Sequence, residues 1–389
     1  MIKLSEVTPM TTQPSFYQNL QSDTLREIFQ QPATLLATHN LVVSLTEEIR
    51  NFAQSWANLP GLRIIFTGAG SSAYIGEILV PLLMREFGIR VEAIATTDIV
   101  SAPLSYLERK PPTLLVSFGR SGDSPETLAA IAVANQCVDL IWHIGITCNE
   151  AGGLAQVTQS STNGLALILP QETHDRAFAM TSSLSAMLLA ALTMFACLRN
   201  KHIQIFSLIE SVRQVLEQFP ETIGQLNRKS FSRVVFLGSG PFCGLAREAA
   251  LKLLELTDGQ IAAFYDSPLG FRHGPKALVN GETLIVVFTS RDSLTQKYDL
   301  DLLSELIADD IASDCLALNH ELVGLAGLGS AGQPLSDLEA VFPYLAFAQL
   351  LALGKSVQCG CTPDQPNAAG VVNRVVQGVR IHDLTETVS

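Results

Sequence analysis

Residues 63–70 read RIIFTGAG and residues 233–240 read RVVFLGSG. Each is an arginine, three apolar residues and a Gly-x-Gly turn, and the two stretches start 170 residues apart. A second pair repeats the interval, since Thr113-Leu-Leu-Val116-x-Phe118 recurs as Thr283-Leu-Ile-Val286-x-Phe288, again 170 residues on. Equal offsets at two separated places predict duplication of a whole unit rather than a chance motif. Further apolar runs, LIWHIGITC (140–148), GLALILP (164–170) and SDCLALN (313–319), alternate with longer helical patterns. None alternates apolar with polar, as expected of strands buried on both faces, so the fold class is α/β with parallel sheets. The expected organisation is an N-terminal helical segment (1–60), a first α/β unit (61–205), a second (220–355) and a C-terminal tail (356–389). The break falls near Arg199 to Ser230, where polarity rises.

A chain of 389 residues, 47% apolar, can bury two substantial cores. Its net charge of -12 argues against nucleic acid or an anionic membrane surface as partner, because either needs clustered Lys and Arg. The opening MIKLSEVTPMTTQPSF has no apolar signal core. Leu184 to Leu198 is interrupted by Ser185 and Thr193 and is short for a membrane span, so it reads as a buried helix. Seven cysteines with no CxxC pair fit reduced thiols in the cytoplasm. Cys359-Gly-Cys361 is too closely spaced for a zinc knuckle and no two histidines stand at i, i+4, so no metal and no cofactor is expected.

Chemistry concentrates in SFGRSGDSPET (117–127), directly after an apolar run. In parallel sheets, ligands bind beyond the carboxyl ends of strands, where unpaired N–H groups and the positive end of a helix dipole favour an anion. Ser117, Ser121 and Ser124 add hydroxyls, Gly119 and Gly122 allow close approach, and Pro125 suits a first helical turn. A second such turn is Gly68-Ala-Gly70-Ser71-Ser72. Serine and glycine also make ordinary tight connections. Two such turns in one unit favour a compact phosphate group. A dinucleotide fits less well: Ala73 stands where the third glycine belongs, which that motif tolerates, but no acidic residue closes a later strand at the required distance. In the second unit GRSGDS (119–124) has become TSRDSL (289–294), without glycine, so no cradle is expected there.

Past the second Gly-x-Gly, the helix-forming run Ala246 to Leu256 puts Glu248, Lys252 and Glu255 on one face. By themselves these read as a solvated charged face. The following IAAFYDSPLGFRHGPKAL (261–278) places His273 in a loop before a helix start, where an imidazole moves protons near neutral pH. His174, within ETHDRAFAMTSS (172–183), is the second candidate, and Thr181 and Ser182 just after it add hydroxyl donors.

GAGSS, the serine-rich turn, E-x-x-x-K-x-x-E and HGP together resemble the sugar isomerase (SIS) family of phosphosugar-binding domains in double-domain form, as in the isomerase half of glucosamine-6-phosphate synthase. The longer phrases SFGRSGDSPET, ITCNEAG, ETHDRAFAMTSS, ALKLLELTDGQIAAFYDSPLGFRHGPK and VNRVVQGV are more similar to the galactosamine-6-phosphate deaminase/isomerase family, also called tagatose-6-phosphate ketose/aldose isomerase. The resemblance covers most of the chain after about residue 22. It implies two tandem flavodoxin-like SIS domains, each a parallel sheet flanked by helices, and a cytoplasmic homodimer with the active site near the subunit interface. It implies that Ser72, Arg120, Ser121 and Ser124 surround a small-molecule phosphosugar, with Gly119 where the synthase has serine. Gly70, Ser71, Thr181, Ser182, Asn373 and Arg374 complete the implied substrate-binding set. Glu255 falls at the proton-transfer base, Glu248 and Lys252 on its supporting face, and His273 at the ring-opening histidine, which in the synthase comes from the neighbouring subunit. Two departures matter: Val371 stands where the synthase has its Schiff-base lysine, and no glutaminase domain is present. The implied reaction is D-galactosamine 6-phosphate to D-tagatose 6-phosphate and ammonia by a C2-to-C1 proton transfer. Simple ketose/aldose isomerisation is the alternative, followed by a phosphosugar sensor without catalysis.

Overall fold

The computed structural model describes residue 17 and residues 20–318, 335–376 and 378–384. Helices α1 (Asp23–Phe29), α2 (Gln31–Ser44) and α3 (Thr46–Ala53) come first. The next elements are β1 (Arg63–Thr67), α4 (Ser71–Phe87), β2 (Glu92–Ala93), α5 (Thr96–Ser101), α6 (Pro103–Tyr106), β3 (Thr113–Gly119), α7 (Pro125–Cys137), β4 (Ile141–Thr147), α8 (Gly153–Ser160) and β5 (Gly164–Ile168). Helices α9 (Ser182–Leu198), α10 (Ile205–Gln218) and α11 (Pro220–Asn227) lead to β6 (Arg233–Gly238), α12 (Pro241–Leu256), β7 (Ala262–Asp266) and α13 (Pro268–Phe271). Then come β8 (Thr283–Phe288), α14 (Ser293–Asp309), β9 (Asp314–Leu318) and α15 (Asp337–Gln358).

Both sheets are parallel, with strand orders β2-β1-β3-β4-β5 and β7-β6-β8-β9. The first is the flavodoxin-like order, and the second repeats its first four places. The repeated runs are the central pairs β1/β3 and β6/β8, in the same register: Arg63 faces Thr113 and Arg233 faces Thr283. Every apolar run read from the sequence is a strand. The two unread strands are edges: β2 has only two residues, and β7 is largely solvent-facing, so neither carries a buried-strand pattern.

The core runs between the sheets. One apolar cluster takes Phe66, Phe118 and Val116 from the first sheet, Val234, Phe236 and Phe288 from the second, and joins them through α2, α4, α9, α10, α12 and α15. Smaller clusters cover the outer faces, under α5, α7 and α8 on one side and α13 and α14 on the other. Phe66 meets Phe118 and Phe195 edge to face at 5.7 Å, pinning β1 to β3 and α9. As expected, the Leu184–Leu198 stretch is a buried helix. Among the described residues α15 alone is long and apolar enough to cross a membrane, but 94% of its apolar window is buried in the protein. It is apolar all round because it packs on several sides. The polar stretch after Arg199 carries α10 and α11, and the apolar face of α10 belongs to the central layer.

The two halves meet where α4 crosses α12. A Cβ on Gly244 would lie 2.9 Å from the Ile78 nitrogen, so glycine is what allows the crossing. Arg247 of α12 pairs with Glu77 of α4 and lies over the Tyr74 ring at 4.5 Å.

Candidate active site

The strand order of the first sheet reverses between β1 and β3, which opens a crevice at their carboxyl ends. A Cβ on Gly68 would fall 2.6 Å from the Ser72 Cβ, so only glycine lets β1 turn this sharply into α4. Neither α4 nor α7 has a side-chain cap; the N–H groups of Ser72, Ala73 and Thr127 turn back onto the carbonyls of Ala69, Gly70 and Ser124, while the positive ends of both helix dipoles face the crevice. The turn after β3 is braced from α8: Asp123 accepts from the Gly153 N–H at 2.8 Å, and the Asn149 side-chain amide donates to the Ser121 carbonyl at 2.9 Å. Between the turns lies a cavity of about 210 Å³. Gly70, Ser71, Ser72, Gly119, Arg120, Ser121, Ser124, Glu255, Asn373 and Arg374 all line it.

Glu255 reaches this cavity from the other half of the molecule. Lys252 and Glu248, one and two turns behind it on α12, are fully buried, contrary to the solvated face their spacing suggests. The reason is α4, which lies over them. Lys252 Nζ sits 3.5 Å from Glu248 Oε1 and donates a hydrogen bond to Glu255 Oε2. Ser71 Oγ donates to Glu248 Oε1 at 3.2 Å. Burial pushes the Glu248 carboxyl up to about 7, with the Glu255 charge adding to it and Lys252 and Ser71 opposing. Burial works against the Lys252 charge, yet its two carboxylate neighbours hold its pKa above the ordinary lysine value.

The third wall is the segment 175–180 with the C-terminal tail. Arg120 lines the cavity, but its guanidinium donates to the carbonyls of Ala177 (3.0 Å), Phe178 (3.1 Å) and Arg374 (3.3 Å). Burial, helped by the Arg374 charge, lowers its pKa to about 10. Arg374 in turn donates to the Ala177 carbonyl at 3.3 Å and to that of Asp175. Phe178 and Met180 reach the lining, as Ser72 Oγ approaches Met180 Sδ at 3.8 Å.

Thr181 and Ser182 are not brought to the cavity. Both are buried at the start of α9, where Asp175 accepts from the Thr181 N–H at 2.7 Å, Ser182 Oγ at 2.5 Å and Ser183 N–H at 2.9 Å. Asp175 is thus a helix cap acting across a loop, which accounts for the Ser182 and Ser183 hydroxyls without a ligand, while the Thr181 hydroxyl is buried with no hydrogen-bond partner among the described residues. Its segment is anchored further by Glu27 of α1, which accepts from the Arg176 and Ala177 N–H groups. Asp364 of the tail caps α1, accepting from Ser22 Oγ and the Thr24 N–H at 2.7 Å. The sequence reading missed Glu27 and Asp364 because their partners are remote in the chain, and Asp175 because a loop rather than a helix turn brings it back onto residues 181–183. His273 is exposed and does not line the cavity. His174 lies near Arg120 and Arg374, which with burial depress its pKa, and its Nε2 is buried without a partner. Among the described residues no group of three His, Cys, Asp or Glu side chains could hold a metal ion.

The second sheet's equivalent crevice is filled from within. Asp299 accepts from Ser239 Oγ at 2.6 Å and the Ser290 N–H at 2.9 Å, while Asp337 accepts from Ser290 Oγ at 2.7 Å and the Arg291 N–H at 2.6 Å. Two internal carboxylates thus hold the donors that face the cavity in the first half, in keeping with the loss of both turn glycines.

The fold is a parallel α/β sheet with serine-glycine turns at its switch point, faced by a carboxylate–lysine helix. Residues 61–197 match the SIS domain family. Over 368 residues, covering 92% of this chain and 95% of the relative, the sequence is 45% identical to D-galactosamine-6-phosphate deaminase AgaS of Escherichia coli. The crystal structure of tagatose-6-phosphate ketose/aldose isomerase from Escherichia coli superposes with a TM-score of 0.85 at 40% identity, over 96% of this chain and all of that one. The C-terminal domain of glucosamine-fructose-6-phosphate aminotransferase from Francisella tularensis shares the fold, with a TM-score of 0.70 at 19% identity over 90% of this chain and 99% of that one. The chain belongs to the SIS-domain AgaS/tagatose-6-phosphate isomerase family, a family of phosphosugar isomerase and deaminase enzymes.

Proposed function

We propose that the protein converts D-galactosamine 6-phosphate and water to D-tagatose 6-phosphate and ammonia. The observation that carries this reading is that Glu255, from the second sheet's helix, lines the same cavity as the serine-rich turns of the first. The substrate phosphate binds the N-termini of α4 and α7 with Ser72, Ser121 and Ser124. His273 of the neighbouring subunit assists opening of the pyranose ring. Glu255 takes the C2 proton, O1 gains a proton to give an enolamine, and Glu255 returns its proton to C1. Water then adds to the C2 imine and the nitrogen leaves as ammonia. The cation of Lys252 beside Glu255 steadies the charge that develops. No cofactor enters this scheme, and Val371, where the synthase has lysine, leaves the chain without a Schiff-base partner. Exposed Phe264 and Tyr265 on β7, close in sequence to His273, support a homodimer in which that edge meets the partner. We place the enzyme in the cytoplasm, where its seven thiols stay reduced.

A second reading, ketose/aldose isomerisation without deamination, is favoured by the designation of the Escherichia coli structure. Ammonia release decides between them. Purified protein should release ammonia from galactosamine 6-phosphate and far less from glucosamine 6-phosphate. Silence with both, together with aldose formed from tagatose 6-phosphate, would establish the isomerase instead.

A further inference from the structure

We infer that Ser71 positions the reaction's base rather than holding the substrate phosphate: its hydroxyl ties the phosphate turn to Glu248 and keeps Lys252 shared between Glu248 and Glu255. This inference deepens the proposed function and rests on it. Ser71 is the first residue of α4, buried, and its hydroxyl donates to a carboxylate 177 positions away on α12. The other Glu248 oxygen is buried with no hydrogen-bond partner, so Ser71 and Lys252 are the described groups that hold this carboxylate. The Gly244 crossing and the Arg247–Glu77 pair hold α4 against α12 within two turns of this contact.

The charged and titratable groups facing Glu248 are Lys252 and Glu255 on its own helix and Tyr74 of α4. Arg120, from the turn after β3, acts on Lys252 and so reaches Glu248 through it. A hydroxyl donating to Glu248 favours its charged form. Charged Glu248 draws the Lys252 ammonium toward itself and away from Glu255. Without the hydroxyl, Glu248 takes up a proton at higher pH and Lys252 turns wholly to Glu255, tying up the carboxylate that must take the C2 proton. Phosphate binding at the turn and proton transfer at Glu255 are thereby joined through one hydrogen bond.

The test measures kcat and KM against pH for Ser71→Ala, Ser71→Thr and Ser72→Ala. In Ser71→Ala the acidic limb of the kcat profile should move to higher pH by about one unit, with kcat near neutrality down about tenfold. KM should stay within about twofold of wild type, and Ser71→Thr, which keeps a hydroxyl, should restore the profile. Ser72→Ala should instead raise KM. A raised KM with an unmoved kcat profile in Ser71→Ala would make Ser71 an ordinary phosphate ligand and overturn the inference. If Ser71→Ala does not fold, Ser71→Cys, a weaker donor, should shift the limb part of the way, and no shift in that folded variant overturns it equally. Should the protein turn over no phosphosugar, the proposed function fails on its own. The Glu248 carboxyl can then be titrated by carbon-13 NMR, assigned with Glu248→Gln, and its midpoint must still rise in Ser71→Ala.

Discussion

At the scale of single residues, Glu248 shows how burial turns an ordinary helix carboxylate into a titrating group. Its folded pKa near 7 lies above its unfolded value near 4.5, so between these values the folded state binds more protons than the unfolded. Its contribution is therefore full below the unfolded pKa and is lost as pH rises through the folded one. Glu27, pushed up to about 7 mainly by burial and then by the Asp175 charge, acts in the same direction. Comparing urea unfolding at about pH 5 and about pH 8, wild type should lose stability at the higher pH, and Glu248→Gln should shrink that loss by roughly 1–3 kcal/mol. An unchanged loss would mean that the carboxylate stays ionised throughout. The spacing of Glu248, Lys252 and Glu255 was legible in the sequence. Their burial was not, because a Glu-Lys-Glu face looks the same whether water or another helix lies over it.

At the scale of elements, helix starts do most of the site's construction. The starts of α4 and α7 carry no side-chain cap, whereas that of α9 is held by Asp175 through two backbone N–H groups and two hydroxyls. Asp175→Ala should cost about 2–4 kcal/mol, because it leaves buried donors unpaired as well as removing a cap. The same change frees the segment whose carbonyls hold Arg120. Hydrogen exchange should therefore speed up at residues 176–185 while α12 remains protected, and a stability within about 0.5 kcal/mol of wild type would contradict the capping role. In ETHDRAFAMTSS the sequence offers Thr181 and Ser182 as hydroxyl donors; only the folded chain shows Asp175 accepting from the Thr181 N–H and from Ser182 Oγ.

At the scale of the whole molecule, two sheets of like strand order differ at their crevices. The first keeps an open cradle, and the second fills its own crevice with Asp299 and Asp337 while lending Glu255 to the first. The exposed position of His273 makes the proposed dimer testable. Glu255→Gln and His273→Asn should each be inactive alone, since one lacks the proposed base and the other the proposed ring-opening group. In a twofold dimer whose sites each combine Glu255 of one subunit with His273 of the other, a mixed dimer restores one intact site. Random re-assortment of equal amounts should then return about a quarter of wild-type activity. No recovery, with subunit exchange shown independently, would put both residues on the same subunit's site or remove His273 from the chemistry.

The sequence alone determined the central strands, the serine-glycine turns and the helix that carries Glu255, since each depends on residues close together in the chain. Edge strands β2 and β7 escaped it for the same reason: without burial on both faces they leave no apolar run. Tertiary structure alone decided which predicted donors face the cavity and which cap a helix. It brought Glu27, Asp175, Arg120 and the tail around one wall, and it laid α4 over Glu248 and Lys252. Most of those outcomes depend on residues far apart in the chain, and the Asp175 cap on the path of a loop; there desolvation and hydrogen-bond geometry, not local spacing, set what a side chain does.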